Sequence, residues 1–518
     1  MKSQDQKKNI ISMALWLTVI TAVVKLISFL REIVISAYYG TSVQSDAYSF
    51  SFNLINMIFL LISTYLVTTY GPTFIKMKEE KNFEKSIKFT NNIITTVAII
   101  STSITLIGIV FAPIIVQVIA PTYEGPLLDI NIMVLRAMFL MLPFISIAAV
   151  YSSFLNAQNS YLAPQLVWLP GSLLIIFSCV ILGSKHGINT VVIAAVLGSM
   201  LQILIQLPWS RKYFSYKLYL NLKDDNLKKS FKLAIPAFLG TFFGSISIVV
   251  DRFLISHLTV GSMSALDFAT KLIALITSLL LVPITTILFT QITESISKKQ
   301  FKSVNNLLNK SIQTVSFLLF PIVITSFLIP FDIVKIVYER GNFDADATNL
   351  TGEAFKYLII GVLSQGIFNI IANFFYAIQK TIIPMICGSI GIGFNIITSI
   401  IFSKTMGIGG IALGTSFGYF IALLLIIFAL KRETSYISFK SSVKQVLLII
   451  ISSSLSIVLV VNTLQVFSFE ITLFKVIFYF LFVILVNFGV SFIIKIEVSL
   501  KLFKTVKNKL VKKFYSEN

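Results

Sequence analysis

The 518-residue chain is short of charge. Asp, Glu, Lys and Arg together make up 12% of it, about half the fraction usual in soluble domains. A soluble protein of this length would hold about three domains, and so little charge excludes that organisation. Cysteine is nearly absent. Cys179 and Cys387 both sit inside apolar segments, which leaves neither a disulfide framework nor a metal-ligand spacing. The two histidines, His186 and His257, are isolated, without a serine or cysteine partner at a catalytic spacing. No Walker-type phosphate loop occurs, and the first outer loop lacks the paired acids a lipid-linked sugar transferase needs for its metal. These absences point away from an enzyme and call for no resident cofactor.

What the chain has instead is apolar sequence, 56% of its residues. At roughly 20 residues per span that is enough for about fourteen membrane helices. Charged or Gly/Pro/Asn-containing breaks delimit runs at 9–38, 46–74, 90–119, 131–157, 163–183, 190–208, 233–257, 265–290, 312–335, 352–378, 382–403, 408–430, 444–465 and 471–494. Continuous runs of this kind lack the short-range alternation of barrel strands. The expected fold class is therefore an all-α polytopic membrane protein. Its first run contains Lys25 and Arg31 and has no short apolar core followed by small cleavage-site residues, so it reads as a retained span.

The net charge is +20, which in a soluble chain would suggest nucleic acid. Here the basic residues cluster in the breaks between spans, with no folded domain to present them. With the N-terminus placed in the cytoplasm, inside segments carry 31 Lys and Arg and outside segments only 5. Such an asymmetry orients a membrane protein, and it puts both termini inside. The tail from Lys495 to Lys513 reads as a basic helix lying on anionic lipid.

Compared with itself, the chain repeats at one fixed offset. Arg136 and Lys356, Phe154 and Phe374, Ala157 and Ala377, Pro164 and Pro384, Gly198 and Gly418, and Ser36 and Ser256 are all related by it. Six spans per unit is an even number, so the halves are expected to be parallel repeats around a central cavity. The expected organisation is a six-helix lobe (1–208), a basic cytoplasmic linker (209–232), a second six-helix lobe (233–430), an added helix pair (431–494) and a basic tail (495–518).

Six basic residues remain within spans: Lys25, Arg31, Arg136, Arg252, Lys271 and Lys356. Glu32, Asp46, Asp251, Asp267 and Glu353 accompany them. A single charge at mid-membrane costs about 2.5–3.5 kcal/mol on insertion scales, so these groups should face water or one another. Thr21, Lys25, Ser28, Glu32 and Ser36 form one polar stripe on the first helix, with Arg31 at its edge. The stripe faces either a wet interior or neighbouring helices. Asp267 and Lys271, spaced i, i+4, and Glu353 and Lys356, spaced i, i+3, could each neutralise themselves. Lys25 is the deepest charge. Pro143, Pro170, Pro236, Pro283 and Pro321, with the Gly388–Gly393 stretch, are candidate bending points.

A family resemblance now becomes visible. It runs through Phe29-Leu30-Arg31-Glu32-Ile33-Val34, Tyr39-Gly40 and Ser45-Asp46-Ala47-Tyr48. It continues in Gly261-Ser262-Met263-Ser264-Ala265-Leu266 with Lys271, in Tyr338-Glu339-Arg340-Gly341-Asn342-Phe343, and in Asn373-Phe374-Phe375-Tyr376-Ala377. The ordered set resembles the MurJ/MviN lipid II flippases of the multidrug/oligosaccharidyl-lipid/polysaccharide exporter superfamily. The resemblance implies that Arg31 and Asp46 match polar residues of a central substrate cavity. Lys25 and Lys271 stand where the family usually has arginines. Two features depart from the pattern. An arginine pair expected near Phe59-Leu60 is replaced by apolar residues. Sodium-using members place an Asn and an acid four apart on the eleventh helix, where this chain has Asn395 and Ser399.

The leading expectation is a flippase in the bacterial cytoplasmic membrane that carries an undecaprenyl-pyrophosphate-linked glycan, lipid II first, to the outer leaflet. Its expected substrate contacts are Lys25, Arg31, Glu32, Asp46, Arg136, Lys271 and Lys356, with Asn395 and Ser399 at the position of an ion site whose acid is missing. Sodium or the membrane potential would drive it. Expected partners are the lipid-linked glycan, membrane lipids and cell-wall or polysaccharide synthesis proteins, with no nucleic acid. The alternatives are a capsule or exopolysaccharide repeat-unit flippase and, behind it, a drug/cation antiporter.

Overall fold

The computed structural model describes residues 2–80, 83–434, 437–464, 472–494 and 496–500. Beyond residue 500 the expected basic tail helix lies outside them. Among the described residues there is no strand. The helices are α1 (Lys2–Tyr39), α2 (Val43–Tyr65), α3 (Gly71–Glu79), α4 (Phe83–Ile119), α5 (Gly125–Phe139), α6 (Met141–Ala157), α7 (Leu162–Leu166), α8 (Leu169–His186) and α9 (Asn189–Ser210). They continue with α10 (Asp225–Ser256), α11 (Ser262–Ser297), α12 (Phe301–Leu328), α13 (Pro330–Tyr338), α14 (Ala345–Ala377), α15 (Ile382–Glu433), α16 (Lys440–Leu464) and α17 (Thr472–Ile493). A π-helical turn, Leu66–Tyr70, joins α2 to α3 just before Pro72, whose missing N–H interrupts the ladder there.

Eleven helices among the described residues are long and apolar enough to cross a membrane, against the fourteen apolar runs of the sequence. Two of those runs, 382–403 and 408–430, share the 52-residue α15. At 1.5 Å per residue α15 would be about 78 Å long if straight, more than twice a hydrocarbon core. It is not straight: Gly407 breaks it at φ 53°, ψ −128°, a conformation open essentially to glycine alone. The last run, 471–494, is represented by the shorter apolar stretch Phe478–Ile493, and the first, 9–38, lies in α1, which is not one of the eleven.

The chain packs as two compact units. One comprises residues 2–268 and 338–347, the other the described parts of 269–337 and 348–500. In the first, α1 packs on α7 and α8, α8 on α9, α9 on α6, and α2 on α5 and α10. An aromatic core of Tyr65, Tyr70, Phe74, Phe89, Phe154 and Phe214 fills one end. In the second, α12, α16 and α17 pack together.

The internal offset of the sequence reappears as matched backbone geometry inside each half. Gly187 has φ 61° and Gly407 φ 53°, while Asn159 has φ 60° and Gln379 φ 61°. In α8 and α9 the helices touch at glycines: a Cβ on Gly198 would lie 2.4 Å from the Gly171 Cα. The corresponding residues of α15 do the same, since a Cβ on Gly418 would lie 2.7 Å from the Gly391 carbonyl oxygen. Small residues are what allow membrane helices such close approach.

The segments that follow each set of helices are also held alike. Asn92 of α4 donates to the Asn221 carbonyl (2.9 Å) and accepts from its N–H (2.8 Å). In the other unit, Asn309 of α12 donates to the Ser438 carbonyl (3.0 Å), and Asn305 accepts from the Ser438 N–H (3.0 Å). Asn309 follows Asn92 by the same interval as Ser438 follows Asn221.

Valine at either glycine crossing must push the helices apart, an overpacking that costs about 1–3 kcal/mol. Gly198→Val and Gly418→Val are therefore expected to lower the melting temperature of the purified protein. Gly393→Val meets open space and should barely move it. Equal effects of all three, read by thermal denaturation in detergent, would contradict close packing at the two crossings.

Candidate functional site

A helix leaves four carbonyls without partners at its C-terminus and four amides at its N-terminus. Two such ends meet in the first unit. At the end of α1, Gly40 (φ +55°) turns the chain and returns its N–H to the Ser36 carbonyl at 2.8 Å. The next two carbonyls are served from far along the chain. Asn342 donates its backbone N–H to Ala37 O (2.8 Å) and its side-chain Nδ2 to Tyr38 O (2.5 Å). The approach needs glycine on both sides. A Cβ on Gly40 would stand 2.2 Å from the Asn342 carbonyl oxygen, and one on Gly341 2.2 Å from that of Ala37.

Asp46, in the first turn of α2, serves the start of α11. Its Oδ2 accepts from the Gly261 N–H (2.7 Å), and its Oδ1 accepts from the Ser264 N–H (2.8 Å) and Oγ (2.6 Å). The carboxylate thus caps a helix remote in sequence and meets the positive end of its dipole. Phe268, Tyr338 and Phe343 pack as an aromatic cluster beside it, and Tyr338 donates to the Phe268 carbonyl at 3.2 Å. Four of the sequence stretches that carry the family resemblance therefore build one joint.

Charge pairing surrounds that joint. Arg31 is ion-paired to its neighbour Glu32, with an Nε–Oε1 contact of 3.1 Å, and its guanidinium lies 5.7 Å from the centre of the Phe52 ring. Asp267 accepts from Asn53 Nδ2 (3.1 Å) and pairs with Arg252 at 3.9 Å. Arg252 Nη1 also donates to Met263 Sδ (3.0 Å) and to its carbonyl (3.4 Å). Sequence reading missed Asn53, Met263, Ser264 and Asn342 as members of this network, because nothing local announces a partner on another helix.

The polar stripe of α1 is in part a seam between helices. Thr21 donates to Gln165 Oε1 (2.9 Å) in α7, Ser28 shares a hydrogen bond with Ser172 (3.3 Å) in α8, and Ser36 returns to its own helix at Ile33 O. Lys25 lies between the first two, half-buried. No carboxylate among the described residues lies within ion-pair distance of it. It stands almost four turns before Tyr39, about 21 Å along the helix.

Arg136 does something the sequence did not suggest. Its Nε donates to the Ile109 carbonyl of α4 at 3.2 Å. That carbonyl has lost its helical donor, because the residue four positions on is Pro113. The same device runs the other way. Pro143 frees the Phe139 carbonyl, which accepts from Thr105 of α4 at 3.0 Å. Helices α4, α5 and α6 so repair each other's proline gaps.

Lys271 and Lys356 belong to the second unit. Lys356 does not make the ion pair with Glu353 that its spacing allowed. Its Nζ lies instead 5.3 Å from the Phe327 ring centre and 5.6 Å from that of Tyr357, where a cation is held by the aromatic quadrupole. Asn395 and Ser399 are buried at the Gly391–Gly418 crossing and bonded to each other, Ser399 Oγ donating to Asn395 Oδ1 at 2.9 Å. No group of three or more His, Cys, Asp or Glu that could share a metal ion occurs among the described residues. Phe59, where an arginine was expected by resemblance, packs edge-on against Trp168 at 6.3 Å.

A family model described as "Lipid II flippase MurJ" matches residues 35–485. The chain belongs to this family. Among curated relatives, a probable lipid II flippase MurJ of Buchnera aphidicola subsp. Baizongia pistaciae is 26% identical over 384 residues, 73% of this chain and 75% of its own length. Among solved structures, a lipid II flippase MurJ in an inward closed conformation superposes with a TM-score of 0.81 at 23% identity, covering 93% of this chain and 99% of the other. An inward-facing multidrug resistance transporter of the MATE family, in the MOP superfamily, gives 0.67 at 14% identity, covering 80% and 98%. The MurJ fold expected from sequence is thus met, and that fold is shared with a transporter described as of the MOP superfamily; the chain is a multi-pass membrane protein of transporter type.

Two measurements test the structural roles found for the charged candidates. Asp46→Ala strands two buried amides and a hydroxyl, each worth about 1–3 kcal/mol, and is expected to abolish folded protein on size-exclusion chromatography, with Asp46→Asn intermediate. Full recovery of Asp46→Ala would show that the carboxylate is not a cap. Arg136→Met should destabilise through the stranded Ile109 carbonyl. Adding Pro113→Ala restores an N–H to that carbonyl and should recover most of the loss in a double-mutant cycle; additive losses would refute the pairing.

Proposed function

We propose that the chain is a flippase moving an undecaprenyl-pyrophosphate-linked glycan, lipid II in the first instance, from the inner to the outer leaflet of the bacterial cytoplasmic membrane. Family membership supports the class and the names of its relatives support the substrate. The distribution of Lys and Arg supports a cytoplasmic position for both termini. The observation that carries the reading is Lys25, a half-buried cation deep in α1 with no carboxylate partner among the described residues. A pyrophosphate is the anion such a charge suits. Lysine holds phosphate as a point charge, without the two-pronged grip of arginine. A capsule or exopolysaccharide repeat unit is the second reading, favoured by Phe59, which gives an apolar contact with Trp168 in place of an arginine. A drug antiporter is disfavoured because Glu32, Asp46 and Asp267 are each engaged by cations or amides.

The drive in this reading is the membrane potential. Two negative charges leaving a negative cytoplasm gain about 4.6 kcal/mol at 100 mV, at about 2.3 kcal/mol per charge. Asn395 and Ser399 form a neutral pair bonded to itself, a poor recommendation for a sodium site. Depletion of the protein in cells should leave lipid II inaccessible at the outer face. In vesicles, Lys25→Ala is expected to lower translocation at least tenfold at unchanged insertion, while Lys25→Arg keeps it. Dissipating the potential should stop transport, and exchanging sodium for potassium at constant potential should not. A fully active Lys25→Ala, or export that follows the sodium gradient and ignores voltage, would overturn the respective part.

A further inference from the structure

Away from the joint, a cleft of about 680 Å³ opens in the second unit where the segment after α15 enters α16. Lys431 stands at its edge from the last turn of α15, and Lys440 and Lys444 from the first two turns of α16. No carboxylate is among the residues that line it. Glu433, close in sequence, is ion-paired to Lys380. Val443, Leu447 and Leu448 continue the wall.

The order of these residues along α16 matters. Lys440, Val443, Lys444, Leu447 and Leu448 are spaced i, i+3, i+4, i+7 and i+8, which is one helix face. That face is cationic at its start and wholly apolar about 10 Å further on. The amide end of the helix adds positive potential at the cationic pole. The opposite face is fixed: Ser442 is buried and hydrogen-bonded to Asn309, which with Asn305 also clamps Ser438. The cleft is thus a held surface, graded from positive to greasy in the direction in which a lipid is graded from headgroup to chain.

We propose that this cleft binds an anionic phospholipid, with the phosphate among Lys431, Lys440 and Lys444 and the acyl chains along Val443, Leu447 and Leu448. A soluble phosphate would leave the apolar half unused, and a zwitterionic lipid would not repay three cations gathered without an acid. Placing the lipid in the inner leaflet rests on the orientation proposed above; the binding itself does not. Each lysine close to an anionic headgroup is worth roughly fivefold in affinity.

The test uses the purified full chain in detergent and native mass spectrometry with dioleoyl phosphatidylglycerol or phosphatidylcholine. The wild type is expected to retain phosphatidylglycerol preferentially. The triple variant Lys431→Gln, Lys440→Gln, Lys444→Gln should lose at least tenfold in that retention, and the corresponding triple arginine variant should keep it. A charge-matched control, Lys298→Gln, Lys302→Gln, Lys310→Gln, should also keep it. Equal loss in the control, equal retention of phosphatidylcholine, or displacement of phosphatidylglycerol by an equal amount of undecaprenyl pyrophosphate would overturn the proposal. Translocation is not part of the readout, so failure of the flippase reading and failure of this site are told apart.

Discussion

Every backbone amide and carbonyl in the hydrocarbon must find its partner within the protein, because the surroundings offer none. In this chain that constraint falls hardest at helix ends and at prolines, and several of its polar side chains answer it there. Asp46 closes the start of α11, and Asn342 closes the end of α1. Arg136 and Thr105 serve the carbonyls that Pro113 and Pro143 leave open. A lost partner in such a place costs far more than an ordinary hydrogen bond is worth. These side chains are therefore committed before any substrate arrives.

The same constraint sorts the membrane charges by role. Arg31 is held by Glu32 and the face of Phe52, and Arg252 by Asp267 and Met263. Paired in this way, a buried charge adds little net stability, yet removing one partner leaves the other stranded. Such pairs fix where helices meet. They are less suited to receive a pyrophosphate, which would have to compete with a partner already in contact. Lys356 is different, because an aromatic face stabilises a cation without neutralising it.

How much of this was legible in the sequence follows from the range of each signal. The apolar runs could be read because each is a property of one continuous stretch of chain. The internal offset could be read because it repeats, and Gly187 with Gly407, or Asn159 with Gln379, shows its physical content as shared backbone geometry. The partners of Asp46, Thr21 and Arg136 could not be read. Asp46 and Ser264 lie far apart in the chain, and a carboxylate that caps a distant helix looks, in sequence, like one that faces a cavity. The stripe on α1 was left open between two readings for a related reason. Its spacing is the same whether it faces water or the hydroxyls of α8, and Ser28 with Ser172 shows the second outcome. Glu353 and Lys356 had the right spacing for an ion pair, but Phe327 offered the lysine a better place.

What remains on the first helix is a division of labour along one face. Thr21 and Ser28 fasten α1 to α7 and α8 through neutral hydrogen bonds, so the helix is positioned without spending the charge of Lys25. A cation with no carboxylate partner among the described residues, on a firmly held helix, is preorganised: it need not break such a pair or reorder its backbone to meet an anion. In the proposed reading charge is what the contact requires, and lysine supplies it with the lighter hold. A transporter must release what it binds, and a single flexible ammonium gives attraction without the directional grip of a bidentate guanidinium. Among the described residues Arg31 and Arg252 sit in internal ion pairs while Lys25 meets no carboxylate, so in the proposed reading the fixed contacts fall to arginine and the releasable one to lysine.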